Sequence, residues 1–481
     1  MPSFEKRFKI REPASILTTE KKRMIHQSAL AVLERTGVRV HSAQARKELE
    51  RSGALVDHRS MVVRFPEGVV ESLLRTVPSR ITLAGRTEEY DLPVDGTHHY
   101  YTCDGCGVLV WKHETKTRRN SVLADVTKSA ILADWLPYLS IYEPMVVAHD
   151  VPAKMHVIAG MREAMKNTVK HIESESTTNP DEAKVQVRMA SEVVGGIDEL
   201  MERHYISAMV CTVSPLILDG AATDAGLVWA ENHVPVHITA MGQMGMTGPA
   251  TIAGNLVLCH AETLALACAL QAHEPGAPVL YGSVLSSMEP RSGAVSFGSP
   301  ETAVLAAATA EMARFMKWPG SCGGIGPGAP VPGMQAAIEN AYISHFLGMV
   351  GSEIMNGIGL VDNSTVLSYE EMLIDNDIVG LTLASCRDVE VTPETLAVDL
   401  IEKVGIGGNF LAEMHTLKHV REFHTPLLWT KESYESWVKK GCKDLLDVAH
   451  EKATQILNEH KPEKLDPEIA RRMDDIMKGV K

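Results

Sequence analysis

The hydrophobic and polar positions of the chain follow two patterns, one typical of short strands and one typical of long helices. From Tyr138 onward, short apolar runs are separated by helical stretches such as 181–196, 251–276 and 299–320. Strands that alternate with helices in this way indicate a parallel sheet. The candidate strands are seven runs, which begin at Tyr138, Thr168, Tyr205, Pro235, Ala277, Gly320 and Ser352.

Seven such units, with an eighth that the pattern does not place, favour an eight-stranded barrel over an open sheet. A doubly wound sheet would give the same alternation and is the alternative. The predicted fold class is α/β, a (β/α)8 TIM-type barrel with an N-terminal α+β extension and a C-terminal helical arm. We expect the extension at 1–135, the barrel at 136–388, and at 389–481 a charged helical arm that packs on the barrel.

The segment Trp318–Val350 is predicted to lie at the working end of the barrel. Its first half is rich in glycine and proline, which do not sustain a ladder or a helix, because glycine is flexible and proline lacks a donor. A strong helix pattern then begins at Met334. A loop without bulk, including Gly324, Gly326 and Gly328, would leave space for a small ligand or for the cofactor of another molecule. An irregular surface turn is the alternative interpretation.

Composition and charge exclude several classes of protein. The chain has 481 residues, 45% of them hydrophobic, and a formal net charge of −14, which argues against nucleic-acid binding because that would need a basic surface. The N-terminus has no apolar signal core, and no uninterrupted span of about 20 apolar residues predicts a membrane helix. We therefore expect a cytoplasmic protein without a membrane partner.

The cysteines do not form a recognisable framework. Eight are scattered through a long chain, which is not the pattern of a disulfide scaffold. Cys103 and Cys106 form a single C-x-x-C, whereas a zinc site of this type would need a second pair nearby. Reduced thiols, mostly buried, are the expected state.

If the fold is a barrel, its chemistry lies where the strands end and the βα loops meet. These ends carry aromatic rings, carboxylates and hydrogen-bonding groups, and few cations. Such a lining suits a quaternary ammonium group, because a cation over an aromatic ring gains about 0.5–2 kcal/mol. For any one residue, a structural polar role is the alternative. The set comprises Tyr142, Glu143, His171, Glu175, Thr212, Ser214, His237, Thr239, Gln243, Tyr281, Ser283, Asn356 and Asp362.

Two other chemistries have a basis in the sequence. His415 and His419 have the i, i+4 spacing of a helical zinc pair, with Glu422 and His424 beyond, but an exposed charged helix has the same pattern and no metal is assigned. Lys170, if it ends a barrel strand, could form a Schiff base as in aldolases, although a salt-bridged lysine is the simpler interpretation.

Four segments carry a resemblance to a known family, namely 246–283, 298–315, 332–342 and 404–441. They resemble the trimethylamine methyltransferase family, and the likeness extends from the N-terminal helix to about His460. The founding member carries pyrrolysine in the loop that corresponds to 324–333, where this chain has only ordinary residues. The chain is therefore similar to the non-pyrrolysine branch, which includes enzymes that demethylate glycine betaine and other quaternary amines. The family fold is a (β/α)8 barrel.

The resemblance implies a quaternary amine:corrinoid protein methyltransferase, with glycine betaine as the first substrate to test. The acceptor would be cob(I)alamin on a separate corrinoid protein, because this chain has no D-x-H-x-x-G motif. We expect Tyr142, Tyr281, Tyr101 and Trp111 to enclose the ammonium group, with Glu143 beside it. His171, His237 and Gln243 would bind the substrate carboxylate. The catalytic or orienting candidate is His345, and weaker binding candidates are Gln335 and Asn356.

Three alternatives to this function remain open in the sequence. A tertiary-amine methyltransferase could act without pyrrolysine through a proton donor. A Schiff-base lyase would use Lys170, and a non-catalytic barrel could bind a betaine without consuming it. The many alanine and methionine residues of the helices also allow a subunit interface, so we expect a homo-oligomer.

Overall fold

Eight parallel strands form the central sheet of the protein. The structure, a computed structural model, describes residues 12–175, 177 and 179–480. In chain order the strands are β1 Tyr100–Cys103, β2 Ile141–Tyr142, β3 His171–Ser174, β4 Ile206–Cys211, β5 Val236–Ala240, β6 Val279–Ser283, β7 Ser321–Gly323 and β8 Ile354–Ile358. Each strand pairs with its neighbour in the chain, and β8 pairs with β1. A bridge between Tyr281 and Gly320 joins β6 to β7, which closes the (β/α)8 barrel.

A helix follows every barrel strand and covers the outside of the sheet. Most of these helices begin at a residue whose side chain accepts a backbone N–H of the first turn, such as Asn179, Thr251 or Ser299. The helices are α1 Leu123–Trp135, α2 His156–Asn167, α3 Pro180–Val194, α4 Gly220–Glu231, α5 Ile252–His273, α6 Pro300–Met316, α7 Met334–Val350 and α8 Tyr369–Cys386. A short additional helix, Ile197–Arg203, separates α3 from β4.

The sheet begins upstream of the boundary at residue 135 that the sequence pattern predicts. The unplaced eighth unit is β1 with helix α1, and both lie inside the range expected for the N-terminal extension. The β1–α1 connection contains an antiparallel hairpin, Leu109–Lys112 with Thr117–Asn120, whose strands hide the simple strand–helix alternation. The other seven predicted strands are confirmed in the sheet.

The N-terminal residues form an α+β layer against the barrel. Its helices pack on α5, and its hairpin covers the N-terminal end of the barrel, where Tyr100, Ile141, Leu280 and Ile354 join it in one apolar cluster. The helices are Thr19–Arg35, Ala43–Arg51 and Glu67–Leu74, and the hairpin is Ile81–Leu83 with Leu92–Val94. Further short strands lie in this layer and in the loops that follow barrel strands: Val38–Val40, Leu55–Asp57, Val62–Arg64, Ile217–Leu218, Gln243–Met244, Ser286–Met288, Val295–Ser296, Leu360–Val361 and Val366–Leu367.

Helix α5 is long and apolar enough to span a membrane by composition alone. Most of it is buried among the N-terminal helices, α4, α6 and the barrel strands. A core helix of a soluble protein has the same length and composition, so the apolar character is explained by packing.

The C-terminal region is helical, as the sequence predicts. Its two long helices pack on the barrel, the first against α8 and α1 and the second against α3 and α2. His450 helps to hold the first of them, because its Nδ1 lies 2.8 Å from Glu370 Oε1 at the start of α8. The helices are Pro393–Leu396, Val398–Val404, Met414–His419, Tyr434–Lys439, Leu445–Glu459 and Pro467–Lys478.

Lys170 lies at the beginning of strand β3, away from the end where a substrate could reach it. Its buried Nζ donates hydrogen bonds to the carbonyl oxygens of Ala133, Leu136 and Leu139, each at 2.6 Å. Burial lowers the pKa of this lysine to about 7. The Schiff-base interpretation is therefore wrong in its geometry, and the lysine serves to bind the carbonyls at the end of α1.

We expect Lys170→Met to lower the free energy of unfolding by at least about 2 kcal/mol, because three buried carbonyl oxygens would lose their donor. Urea denaturation measures the change. The exposed Lys154 gives a matched control, since Lys154→Met should shift stability by no more than about 0.5 kcal/mol. Equal stabilities of the two variants would contradict the structural role.

Candidate active site

A cavity of about 500 Å³ opens at the C-terminal end of the barrel strands. Every strand or the loop after it contributes to the wall, which is the arrangement that βα loops produce in this fold. The wall is mostly apolar and backbone, with a few polar side chains that converge on the space. Its lining residues are Asp104, Gly105, Cys106, Glu143, Glu175, Met209, Cys211, Thr239, Met241, Gln243, Val284, Val295, Phe297, Gly323, Gly324, Ile325, Gly326, Asn356, Gly357, Asn363 and Ser364.

Three carboxylates on adjacent strands form one side of this cavity. Asp104 follows β1, Glu143 follows β2 and Glu175 follows β3. Parallel strands end at the same level, so the three acids are brought together although the chain separates them. No lysine, arginine or histidine lines the cavity within the described part of the chain. The cavity therefore has an acidic wall that the protein itself leaves without a cationic partner.

Burial keeps Glu143 and Glu175 protonated more readily than in water. The pKa of Glu143 is raised well above its ordinary value, first by burial and then by the neighbouring charges of Glu173, Asp104 and Glu175. The pKa of Glu175 is raised to about 8, again by burial first and by Asp104 second. Like charges in an apolar environment disfavour a second ionised carboxylate, so a cation placed among them would favour ionisation.

Buried polar atoms at the cavity lack hydrogen-bond partners in the described structure. They are Oε2 of Glu143 and Oγ1 of Thr239, both on lining residues. Buried polar groups are normally paired, so orphaned atoms at a cavity indicate a ligand or water as partner. Gly105 makes room for the acid, because a Cβ at this position would lie 2.5 Å from Glu143 Oε1.

The glycine-rich loop after β7, which the sequence pattern places at the rim of the barrel, contributes residues to the wall of the cavity. Gly323, Gly324 and Gly326 line the cavity, while Ile325 donates its N–H to the carbonyl oxygen of Asn356 at 3.0 Å. Next to Asn356, the backbone of Gly357 passes against this loop with a φ of +122°, and a Cβ there would lie 1.3 Å from the Ile325 oxygen. Close backbone approach between the ends of β7 and β8 thus requires glycine. Gly328 lies further along, beside Asn363 and Glu339.

Two histidines that were expected to bind the substrate lie deeper in the barrel. His237 is two residues before Thr239 on β5, and its Nδ1 lies 2.8 Å from Glu173 Oε1. His171 bonds Ser207 Oγ at 2.9 Å and the Ala84 carbonyl oxygen at 3.0 Å. Neither lines the cavity, because inward-facing residues on a strand repeat every second position and these belong to lower layers.

The expected aromatic enclosure is not present. The hydroxyl of Tyr142 bonds Ser129 and Val126 on helix α1, that of Tyr281 bonds His260 on α5, and that of Tyr101 bonds Ser344 on α7. All three rings point outward from the barrel because their strand neighbours point inward. Trp111 lies in a separate apolar cluster with Ala329 and Val361. The aromatic residue of the cavity is Phe297, in the loop after β6.

The structure also corrects the helix candidates. His345 is exposed on α7, where its Nδ1 lies 3.2 Å from Ser385 Oγ of α8, outside the barrel. Gln335 is exposed on the same helix and donates to Glu339 at 2.7 Å. Both are remote from the cavity because α7 turns its other face to the sheet. A catalytic role for His345 therefore has no geometric support.

Some predicted residues do reach the cavity, and one important residue was missed. Glu143, Gln243 and Asn356 line it, together with Gly324 and Gly326. Asp104 was missed because β1 was not recognised as a barrel strand. Its position directly after the apolar run at 100–103 is the signal that could have identified it.

Comparison with known proteins covers nearly the whole chain. A sequence model described as trimethylamine methyltransferase (MTTB) matches residues 4–480. The chain belongs to the trimethylamine methyltransferase family. Within that family, the protein named trimethylamine methyltransferase MttB from Desulfitobacterium hafniense (strain DSM 10664 / DCB-2) is 31% identical over 453 residues, 94% of this chain and 91% of the relative.

Relatives of this chain in the trimethylamine methyltransferase family carry two different substrate names. The glycine betaine methyltransferase of Desulfitobacterium hafniense (strain Y51) is 30% identical over 458 residues, 95% of either chain. Trimethylamine methyltransferase MttB of Methanosarcina thermophila is 30% identical over 463 residues, 95% of this chain and 96% of the relative. The protein is therefore a methyltransferase.

Among solved structures, the Methanosarcina barkeri monomethylamine methyltransferase MtmB aligns over 95% of this chain and 92% of its own. The TM-score is 0.49 and the sequence identity is 13%, so this likeness does not bear on the site.

Proposed function

We propose that this protein transfers a methyl group from a quaternary amine to a reduced corrinoid carried by a separate partner protein. The observation that supports this proposal is the acidic wall of the cavity, formed by Asp104, Glu143 and Glu175, with no cationic side chain among the described lining residues. A small permanent cation would provide the missing partner. The relative named glycine betaine methyltransferase supports the same class of substrate.

Because the substrate already carries a positive charge, the site needs few catalytic groups. When the methyl group leaves, the electron pair of its C–N bond stays on nitrogen, which becomes a neutral tertiary amine. No proton has to be supplied, so neither a general acid nor a covalent adduct is required. The work of the protein is to hold the ammonium group in line with the acceptor and to exclude water.

The mouth of the cavity has the shape that such an acceptor would need. A reduced corrinoid supplies the nucleophile for this class of transfer, and it must approach the methyl group closely. Gly324 and Gly326 keep one side of the rim free of side chains. Met241 and Met246 are exposed in the loop after β5 and offer an apolar contact surface. These residues would receive the corrinoid of the partner.

The individual substrate is expected to be glycine betaine, tested beside choline, tetramethylammonium and carnitine. A substrate carboxylate would be bound by neutral donors, since Gln243, Asn356 and Asn363 carry side-chain amide groups at the cavity. Incubation of the protein with cob(I)alamin and each amine should release a tertiary amine and methylate the corrinoid. The absorbance of the corrinoid measures its methylation. No reaction with any of these quaternary amines would overturn the proposal.

A second candidate is demethylation of a tertiary amine. Because burial raises the pKa of Glu175 to about 8, this carboxyl group can carry a proton at neutral pH and protonate the nitrogen of a neutral amine. Two relatives are also named for trimethylamine. Rates with trimethylamine and glycine betaine, compared in the same assay, separate the two candidates.

Phe297, the aromatic residue among the described lining residues, gives a prediction with a matched control. We expect Phe297→Leu to raise KM for a quaternary amine about 2- to 30-fold, the range given by a cation–π energy of 0.5–2 kcal/mol. Tyr142→Phe should leave KM unchanged, because the Tyr142 hydroxyl bonds residues of helix α1 outside the cavity. Steady-state kinetics of both variants tests the assignment, and the opposite ranking would contradict it.

The compartment and the assembly state are also proposals. All eight cysteines are free thiols in the structure, which suits the reducing cytoplasm. A homo-oligomer is expected from the apolar surface described next.

A further inference from the structure

Exposed apolar side chains are concentrated in one short part of the chain. Within the C-terminal helical region, we use the term arm from here on only for residues 387–426, which connect helix α8 to the segment that returns to the barrel. Of the 26 large hydrophobic side chains exposed in the described residues, 12 belong to the arm. They are Val389, Val391, Leu396, Val398, Ile401, Ile406, Phe410, Leu411, Met414, Leu417, Val420 and Phe423.

The arm has no hydrophobic core of its own. Its three α-helices, Pro393–Leu396, Val398–Val404 and Met414–His419, contain no buried residue. Helices of this length are not stable alone in water and normally depend on burial of an apolar face. The described residues of a single chain therefore do not supply a cover for the apolar side chains of the arm.

The base of the arm is firmly attached to the barrel. The buried carboxylate of Asp377 accepts the backbone N–H groups of Leu427 and Leu428 at 2.8 and 2.7 Å, directly after the arm. At its other end, Arg387 donates to the carbonyl oxygen of Glu422 at 3.3 Å. The arm therefore leaves and returns at one place, and its tip projects. At the tip, Gly405 and Gly407 have φ of +69° and +79° and present Ile406, whose exposure is 109%.

A second apolar surface lies on the outer side of helix α7. Met334, Ile338 and Tyr342 follow one another at intervals of four residues, and their exposures are 82%, 60% and 37%. We call these three residues the α7 stripe. Residues at this spacing occupy one face of a helix, and on a fully solvated face they would normally be polar.

We infer that the arm covers the α7 stripe of a second copy of this chain, so that two copies exchange arms in a symmetric dimer. The twelve side chains offer on the order of 1,000 Å² of apolar surface, above the ~300–600 Å² of the largest patch on a typical monomer. It also reaches the ~800 Å² per partner of a standard stable interface. A two-fold axis lets each arm meet the α7 stripe of the other copy. Both arms and both stripes are then covered by one type of contact.

Sedimentation velocity of the full-length protein across a dilution series tests this inference. The unchanged chain should be a dimer at micromolar concentration. Ile406→Asp combined with Leu411→Asp should raise the dimer Kd by at least about thirtyfold, the effect of losing one strong interface contact. Ile338→Asp on the stripe should have a similar effect, although it lies on another element.

Leu55→Asp is the matched control, because Leu55 is 63% exposed in the N-terminal layer and belongs to neither surface. It should leave the dimer Kd unchanged. Circular dichroism should show the same helix content for all variants, since every substituted side chain is exposed. A monomeric unchanged protein, or a dimer that resists the arm substitutions, would overturn the inference. A dimer sensitive to the arm but not to Ile338→Asp would overturn the stripe as the receiving surface.

Discussion

Glu143→Gln is expected to raise the KM for a quaternary amine about 100-fold while kcat stays the same or increases. The amide has the shape of the carboxylate but carries no charge, so the ammonium group loses a buried ionic partner. A factor of 100 corresponds to about 2.7 kcal/mol. During transfer the nitrogen loses its positive charge, so the carboxylate stabilises the ground state at least as much as the transition state. Removing this attraction therefore raises KM without lowering kcat.

Steady-state kinetics with varied amine and saturating cob(I)alamin measures both constants. Glu353→Gln is the matched control, because Glu353 is a buried carboxylate that accepts Gly320 N–H at 2.9 Å near the start of strand β7. That variant can lower stability but should leave KM unchanged. An unaltered KM in folded Glu143→Gln would remove this carboxylate from the binding site.

KM for a quaternary amine is expected to fall as the pH rises from 6 to 8 and to level off above pH 8. In the free cavity, Glu143 and Glu175 hold protons more readily than in water, since burial and neighbouring charge raise the pKa of Glu143 and bring that of Glu175 to about 8. A cation binds to the ionised carboxylates, so below pH 8 it must displace a proton. Displacing one proton weakens binding about tenfold for each pH unit below the pKa.

The quaternary nitrogen has no proton to lose, so the pH profile reports the protein and not the substrate. Glu175→Gln should flatten the profile between pH 6 and 8, while Glu199→Gln, which changes an exposed carboxylate of the helix Ile197–Arg203 outside the cavity wall, should retain it. A KM that is constant from pH 6 to 8 in the unchanged protein would contradict proton displacement.

The alternation of strands and helices predicts a parallel sheet, and the count of seven units plus one favours the barrel over a doubly wound sheet. Seven strands were identified because each is an apolar run, and a long helical pattern separates it from the next such run. The eighth was not, because the hairpin 109–120 stands between β1 and α1 and gives that region the pattern of a separate layer. Supersecondary insertions of this kind break the periodicity on which the prediction depends.

The site was predicted less completely, and the reason lies in strand parity. Tyr142 and Glu143 are adjacent in the sequence, yet the tyrosine bonds helix α1 and the glutamate lines the cavity. Consecutive residues of a strand point to opposite faces, and in a barrel one face is the outer helical layer. A list of residues at strand ends therefore includes side chains that point into the barrel and side chains that point to the outer helices. Because both environments are buried, the sequence does not show which alternate positions point inward.

His345 illustrates a different limit. The helix pattern of α7 has apolar residues on two sides, one packed on the sheet and one forming the α7 stripe. With two apolar faces, the sequence does not determine which polar residue faces the barrel. The glycine loop was easier to predict, because few structures other than a close backbone approach require so many residues without side chains.

The contact between Gly357 and the carbonyl of Ile325 has a practical consequence for redesign of substrate range. Because two main chains touch there, that side of the opening cannot be widened by trimming side chains, and bulkier residues cannot be accommodated either. Larger alkylammonium compounds would have to be admitted at other parts of the wall, such as Met209 and Phe297, whose side chains carry volume that substitution can remove.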